Sequence, residues 1–280
     1  MVYDLETLLE GREVILVFAG AGMSADSGLP TYRDKEGFWK DYPPYRDIDK
    51  DYVAMMSPHG FASDPHFAWG FFAHQYRLYK NAVPHKGYEV LLQLCRSRQD
   101  FFVVTSNVDG MFLKAGFPKK KLHEAHGTIH RMQCSIPCHH DVWEVENLEV
   151  EVNYSTMRAK DTLPLCPYCG GISRPNIFMY GDTMESYIDM PVQQSAKRFR
   201  AFRQKYRTSS VAILEIGVGA EGMITHIEAY KKMFEDVVHL CINPRQERVM
   251  IGGYWIPLSV EEALIITNAL IRQSEGSLPR

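Results

Sequence analysis

The chain has 280 residues, of which 45% are hydrophobic and 23% charged, with a formal net charge of -3 and a sequence pI near 6.4. That is enough apolar chain to build one large domain, or a large and a small one, around a sizeable core. The balance lacks the basic excess of a general nucleic-acid binder, and no stretch approaches the ~20 apolar residues of a membrane helix.

Met1–Arg12 (MVYDLETLLEGR) is acidic and interrupted, unlike a secretory leader. The expected location is the cytosol, or the nucleus in a eukaryote. Val14–Phe18 (VILVF) follows as a short β-branched run that ends in Ala19-Gly20-Ala21-Gly22, the pattern of a buried parallel strand and a tight turn. Asp41–Pro65, rich in Tyr, Pro and Asp, reads as a long irregular loop close to a ligand. Phe67–Asn81 has helical spacing. Phe101–Thr105 (FFVVT), Val211–Ile216 (VAILEI) and Val237–Ile242 (VVHLCI) repeat the strand pattern, with a helical segment at Ala220–Glu235. Strands alternating with helices predict an α/β fold with a parallel sheet, whose ligands gather at the carboxyl ends of the strands. The rhythm breaks between Met132 and Ser173, which reads as a small inserted domain. Residues 273–280 form a polar tail expected to be loose.

Three groups of residues carry chemistry. Gly20-Ala21-Gly22 with Ser24 suits a dinucleotide pyrophosphate, because a bare backbone and a helix N-terminus accept phosphate oxygens. The pattern is short of G-x-G-x-x-G, since Ala25 stands at the last glycine position. Among the six cysteines, Cys134 and Cys138 form C-x-x-x-C, and Cys166 and Cys169 form C-x-x-C, with 27 residues between the pairs. Two close thiolate pairs make a tetrahedral, structural zinc site; the alternatives are free thiols, or His139 or His140 replacing Cys138. Cys95 and Cys241, alone in apolar runs, read as buried small hydrophobes. Ser106, Asn107 and Asp109 close the second strand. His123, His126 and His130 lie close behind, and spacing alone does not choose the general base among them.

Taken together these segments resemble the sirtuin family. Gly20–Asp34 (GAGMSADSGLPTYRD) is similar to its cofactor motif, Thr105–Gly116 (TSNVDGMFLKAG) to its T-Q-N-I-D segment, and His126-Gly127 to its catalytic H-G. Arg174–Asp182 (RPNIFMYGD) is similar to its P-x-V-V-x-F-G-E strand, and the four cysteines to its zinc module. The resemblance implies a Rossmann-like parallel-sheet domain at 1–131 and 174–280, with a zinc-binding module inserted at 132–173. It implies an NAD-dependent protein deacylase: the acyl oxygen of a modified lysine attacks the anomeric carbon as nicotinamide leaves, with His126 as general base and Asn107 beside the nicotinamide. NAD contacts are implied at Gly20, Ala21, Gly22, Ser24, Tyr32, Arg33, Ser106, Asn107, Asp109, Gly217 and Asn243, and acyl-lysine contacts at Ile177, Phe178 and Tyr180. ADP-ribosyl transfer or NAD hydrolysis on the same activated sugar is the second reading, and a non-enzymatic NAD-sensing module the third. The chain departs from the family at Ser106 for Gln, Tyr32 for Phe, Phe178 for Val, and Gly217-Val218-Gly219 for G-T-S. Desuccinylating sirtuins carry Tyr-x-x-Arg on the helix that Phe72–Lys80 would occupy. Here that pattern is absent, and Tyr76, Arg77 and Tyr79 read as an ordinary helix surface.

Overall fold

A computed structural model of the chain describes residues 5–31, 38–40, 42–160, 162–219, 224–245 and 252–265. Its centre is a six-stranded parallel sheet in the order β11-β10-β9-β1-β2-β3. The strands are β1 (Val14–Ala19), β2 (Asp100–Thr105), β3 (Leu122–Glu124), β9 (Ser210–Ile216), β10 (Asp236–Ile242) and β11 (Tyr254–Ile256). The four apolar runs in the sequence are the four central strands, buried because both faces are covered.

Four longer helices supply that cover. Alternate residues of β1 divide between the two sides. Ile15, Val17 and Ala19 join one core with α1 (Pro65–Asn81) and α2 (Lys86–Arg96). Val14, Leu16 and Phe18 join the other with α3 (Met190–Lys205) and α4 (Ile224–Lys231). Chain direction across the sheet reverses between β9 and β1, so a crevice opens at the carboxyl ends of β1, β2 and β9, where such sheets bind ligands.

A second, antiparallel sheet, β5 (Trp143–Glu144)-β4 (Gly127–Cys134)-β8 (Ser173–Ile177), abuts this crevice. A small hairpin, β6 (Val152–Asn153) and β7 (Arg158–Ala159), lies against α1. Its Val152, Met157 and Ala159 enter the same core as the large sheet.

The stretch read as an irregular loop is helical instead. Pro43–Asp47, Tyr52–Met55 and His59–Ser63 are short helices, the second capped by Asp51, which accepts from Ala54 N. The reason is aromatic packing. Phe38, Tyr42 and Tyr45 stack on one another and meet Phe71 of α1, with Phe38–Tyr42 centroids 5.0 Å apart. Such a cluster buries enough apolar surface to fix the backbone despite its prolines. Among the described residues, no helix is long and apolar enough to cross a membrane.

Candidate active site

A cavity of about 610 Å³ occupies the crevice. Its floor is the turn after β1. Gly20 N donates to Ile216 O and Gly22 N to Gly217 O, tying the turns after β1 and β9 together. A Cβ on Gly20 would stand 2.7 Å from Gly217 O. The glycines therefore allow two backbones to touch, and their N–H groups are already engaged. Gly20, Ala21 and Ser24 line the cavity, with Leu29 and Thr31 beyond them. Gly22 and Gly217 are instead packed against each other. Asn243 is buried behind them, its Nδ2 donating to Val218 O at 3.0 Å, which holds the β9 turn in place. Val218 and Gly219 then reach the cavity.

The second wall is the end of β2. Thr105 Oγ1 donates to Ala19 O and accepts from Asn107 N, both at 3.0 Å, so one hydroxyl locks the chain as it leaves the sheet. Ser106, Asn107 and Asp109 line the cavity. Asp109 is buried; its Oδ2 accepts from Ser24 Oγ at 2.6 Å and its Oδ1 from Met111 N at 2.9 Å. Burial raises its pKa against those hydrogen bonds.

The third wall is the junction of the two sheets. Ala125 N donates to Thr105 O, and the chain then turns into β4 through His126. Phe178 N donates to His126 O at 2.9 Å, so the residue leaving β8 lies beside the one entering β4. Gly127 has φ +79°, and a Cβ there would fall 2.1 Å from Asn176 O. Only glycine fits this crossing, which explains the His-Gly pair physically. The His126 ring opens onto the cavity, yet the surrounding walls pull its pKa below the usual imidazole value, with His226 across the cavity adding to the effect. It is therefore a neutral base near pH 7.

The three clustered histidines now separate. His123 is buried, with Nδ1 2.7 Å from Ser195 Oγ, and burial lowers its pKa to about 4. His130 Nε2 bonds to Asp109 O at 3.0 Å. Only His126 of the three faces the cavity.

Ile177, Phe178 and Tyr180 form the outer wall, opposite Asp51, Tyr52, Val53 and Met56 of the short helices. Tyr180 N donates to Met56 O at 2.8 Å, bridging the two sides. A buried ion pair fixes this loop: Arg174 Nη2 meets Asp182 Oδ1 at 2.7 Å, with both side chains 0% exposed.

The reading of Phe72–Lys80 as a plain helix surface is overturned. Tyr76 and Tyr79 are buried, Tyr76 OH donates to Glu146 O at 2.9 Å, and Tyr79 lines the cavity. Helical spacing alone could not reveal this, because the covering segment comes from residues 145–160. His226 was also missed, as a lone histidine on a polar helix turn carries no motif. Tyr32 and Arg33 lie outside the described residues.

The four cysteines form a separate centre. The Sγ atoms of Cys134, Cys138, Cys166 and Cys169 all lie within 4.8 Å of one another, with Cys134–Cys169 and Cys138–Cys166 at 3.7 Å. Thiolates held ~2.3 Å from zinc at tetrahedral corners would be about 3.8 Å apart, so the donor set fits the ion. His139 is not one of the four, though its Nε2 is 3.5 Å from Cys166 Sγ. Four thiolates leave no open position, which makes the centre structural. Cys95 and Cys241 are buried.

Comparison with known proteins agrees with this geometry. The sequence model of the Sir2 family matches residues 20–200. An NAD-dependent protein deacylase of Pyrococcus abyssi is 30% identical over 100% of this chain and 96% of its own length. One from Aquifex aeolicus is 29% identical over 75% of this chain and 74% of its own length. Among solved structures, a Sir2 homologue in complex with NAD superposes with a TM-score of 0.73 at 22% identity, covering 96% of this chain and 93% of the other.

Proposed function

The chain belongs to the Sir2 family, and on that premise we propose that it is an NAD-dependent protein deacylase acting on acylated lysine. The observation that carries this reading is one cavity in which the imidazole of His126, its pKa lowered, stands with Asn107 and Asp109 beside the apolar wall of Ile177 and Phe178.

When bound, NAD would supply a ribose carbon made electrophilic by its nicotinamide leaving group. The chain does the rest. The tied turns at Gly20 and Gly217 keep the floor bare of side chains, so an extended dinucleotide can lie on it. At the end of β2 the side-chain amide of Asn107 and, held by Ser24 and Met111, the carboxyl of Asp109 would stabilise positive charge on the sugar of a bound cofactor. His126 would take the proton of a ribose hydroxyl of the cofactor at its imidazole, a role that the lowered pKa favours near neutral pH. Ile177, Phe178, Val53 and Met56 give the path of the lysine side chain an apolar lining. The zinc centre positions β4 and β8 and takes no part in the chemistry.

The test is mass-spectrometric product analysis with NAD and a panel of acyl-lysine peptides. Deacylated peptide with equimolar nicotinamide and O-acyl-ADP-ribose is expected. Nicotinamide release with the peptide still acylated would replace deacylation with ADP-ribosyl transfer or NAD hydrolysis. Intact NAD with every peptide would reject the proposal.

A further inference from the structure

Behind the cavity wall lies a buried phenol that the chemistry above does not use. Tyr88, on the first turn of α2, is 0% exposed, and its hydroxyl lies 2.9 Å from Ser24 Oγ. Neighbouring contacts hold it there. His85, which caps α2, bonds through Nε2 to Met23 O at 2.9 Å, and His85 N donates to Ser27 Oγ at 3.0 Å. The start of α2 is thus stapled to the turn that carries Ser24, with the His85 and Tyr88 rings 5.1 Å apart.

Counting hydrogens fixes the direction of every bond in this network. Gly20 O can only accept, so the Asn107 atom 3.0 Å from it is the amide nitrogen. The same nitrogen lies 3.3 Å from Ser24 Oγ, and both its hydrogens are thereby assigned. Ser24 has one hydrogen, which goes to the Asp109 carboxylate at 2.6 Å. Its oxygen therefore accepts from Asn107 and from Tyr88, and Tyr88 is the donor. The phenol keeps its proton, since burial beside Asp109 pushes its pKa far above the usual value. With both Nδ2 hydrogens engaged, Oδ1 is the amide atom left to accept from a ligand in the cavity that Asn107 lines.

We infer that Tyr88 is a positioning residue: its hydroxyl saturates Ser24, holds the Ser24 hydrogen on Asp109, and so fixes the amide of Asn107 with its oxygen toward the reacting end of the cavity. The inference deepens the proposed function and rests on it for its kinetic consequence. Without the phenol hydroxyl, Ser24 has a vacant lone pair at the buried inner edge of the cavity. It can rotate to claim a second donor, and the Asn107 amide is then held by its bond to Gly20 O alone, which lets it turn over more readily. A flipped amide presents N–H where an acceptor is needed. The loss falls on the chemical step more than on binding.

The test compares Tyr88→Phe, Ser24→Ala and the double variant. The expected result for Tyr88→Phe is a drop in kcat of about tenfold, the size of one hydrogen bond made in the transition state. The KM for acyl peptide should stay within about twofold. In the Ser24→Ala background, Tyr88→Phe should change kcat no further, because its route runs through Ser24. Additive losses, or a kcat within about twofold of wild type, would overturn the inference. A second readout needs no turnover. In 15N-labelled protein free of NAD, exchange of the Asn107 side-chain amide with solvent should quicken at least about tenfold in Tyr88→Phe, and unchanged exchange would overturn the inference. If the wild-type protein leaves NAD intact, the proposed function fails, and the exchange measurement still decides the role of Tyr88.

Discussion

Replacing Gly22 by alanine tests the reason given for the glycine turn. A Cβ at that position would lie 2.6 Å from Gly217 Cα and 2.9 Å from Gly217 O. Carbon contacts settle near ~3.5–4.0 Å, so the two turns must part by about 1 Å. Overpacking of this kind costs about 1–3 kcal/mol. The Gly22 N to Gly217 O bond, 2.9 Å long, is stretched at the same time, adding about 1 kcal/mol. Alanine returns roughly 0.4–1 kcal/mol by restricting the unfolded chain. The net loss is about 2 kcal/mol, which at a urea m-value of about 2–3 kcal/mol/M lowers the unfolding midpoint by roughly 0.7–1 M. NAD affinity should fall with it, because the cavity floor is the displaced element. Gly219→Ala is the control: nothing lies within 4 Å of its Cβ, and its stability should stay within about 1 kcal/mol of wild type. Should Gly22→Ala prove as stable as Gly219→Ala, the backbone contact is not what the glycine is for.

Other expectations follow from the same structure. Because burial and His226 depress the His126 pKa, kcat/KM should hold level from about pH 7 to 9 and fall only below the ordinary imidazole pKa of ~6.5; a pH–rate profile falling already at pH 7.5 would contradict this. His123 has a folded pKa of about 4 against ~6.5 unfolded, so it contributes stability above pH 6.5 that is lost as pH falls toward 4, in total about 3 kcal/mol. Denaturant titrations at pH 7.5 and 5.0 should show a clearly smaller acid loss in His123→Gln than in wild type. Cys166→Ser should abolish stoichiometric zinc, read by metal analysis, and lower the melting temperature; a metal-free variant that melts like wild type would remove zinc from the fold's support. Asp182→Asn leaves Arg174 buried beside a neutral partner and should cost about 3–5 kcal/mol in the same titrations.

Much of the fold was legible because burial on both faces writes itself as uninterrupted apolar runs. Val14–Phe18 and Val211–Ile216 needed no context to be read as strands. The short helices at 43–63 were not legible. Tyr, Pro and Asp favour irregular backbone locally, and what overrides them is the meeting of Phe38, Tyr42 and Tyr45 with Phe71, a contact between distant parts of the chain. The site divides the same way. Gly20 and Asn107 follow strand ends, where sequence order gives their place, whereas His126 is set apart from His123 and His130 only by the resemblance to the sirtuins. Tyr79, Met56 and His226 reach the cavity only through packing between elements. The glycines of the turn carry a second duty that sequence patterns do not show: Gly20 N and Gly22 N bond to Ile216 O and Gly217 O and tie two turns together.

That tie bears on how the two sheets share the work. The floor of the cavity belongs to the parallel sheet and is fixed by backbone bonds between β1 and β9. His126 and Phe178 instead stand where β4 and β8 leave the antiparallel sheet, and the far ends of those strands, Cys134 and Ser173, pair with each other beside the four thiolates. The register between β4 and β8 shifts between Thr128 and Met132, so the strands have an irregularity at which they could slip. Anchoring their far ends opposes that slip. The position of the general base relative to the floor then depends on an ion that never meets the substrate. Loss of zinc should therefore reduce kcat before it unfolds the parallel sheet, with cofactor affinity outlasting turnover. A protein that lost NAD binding and turnover in parallel on chelation would show that the two sheets respond as one unit.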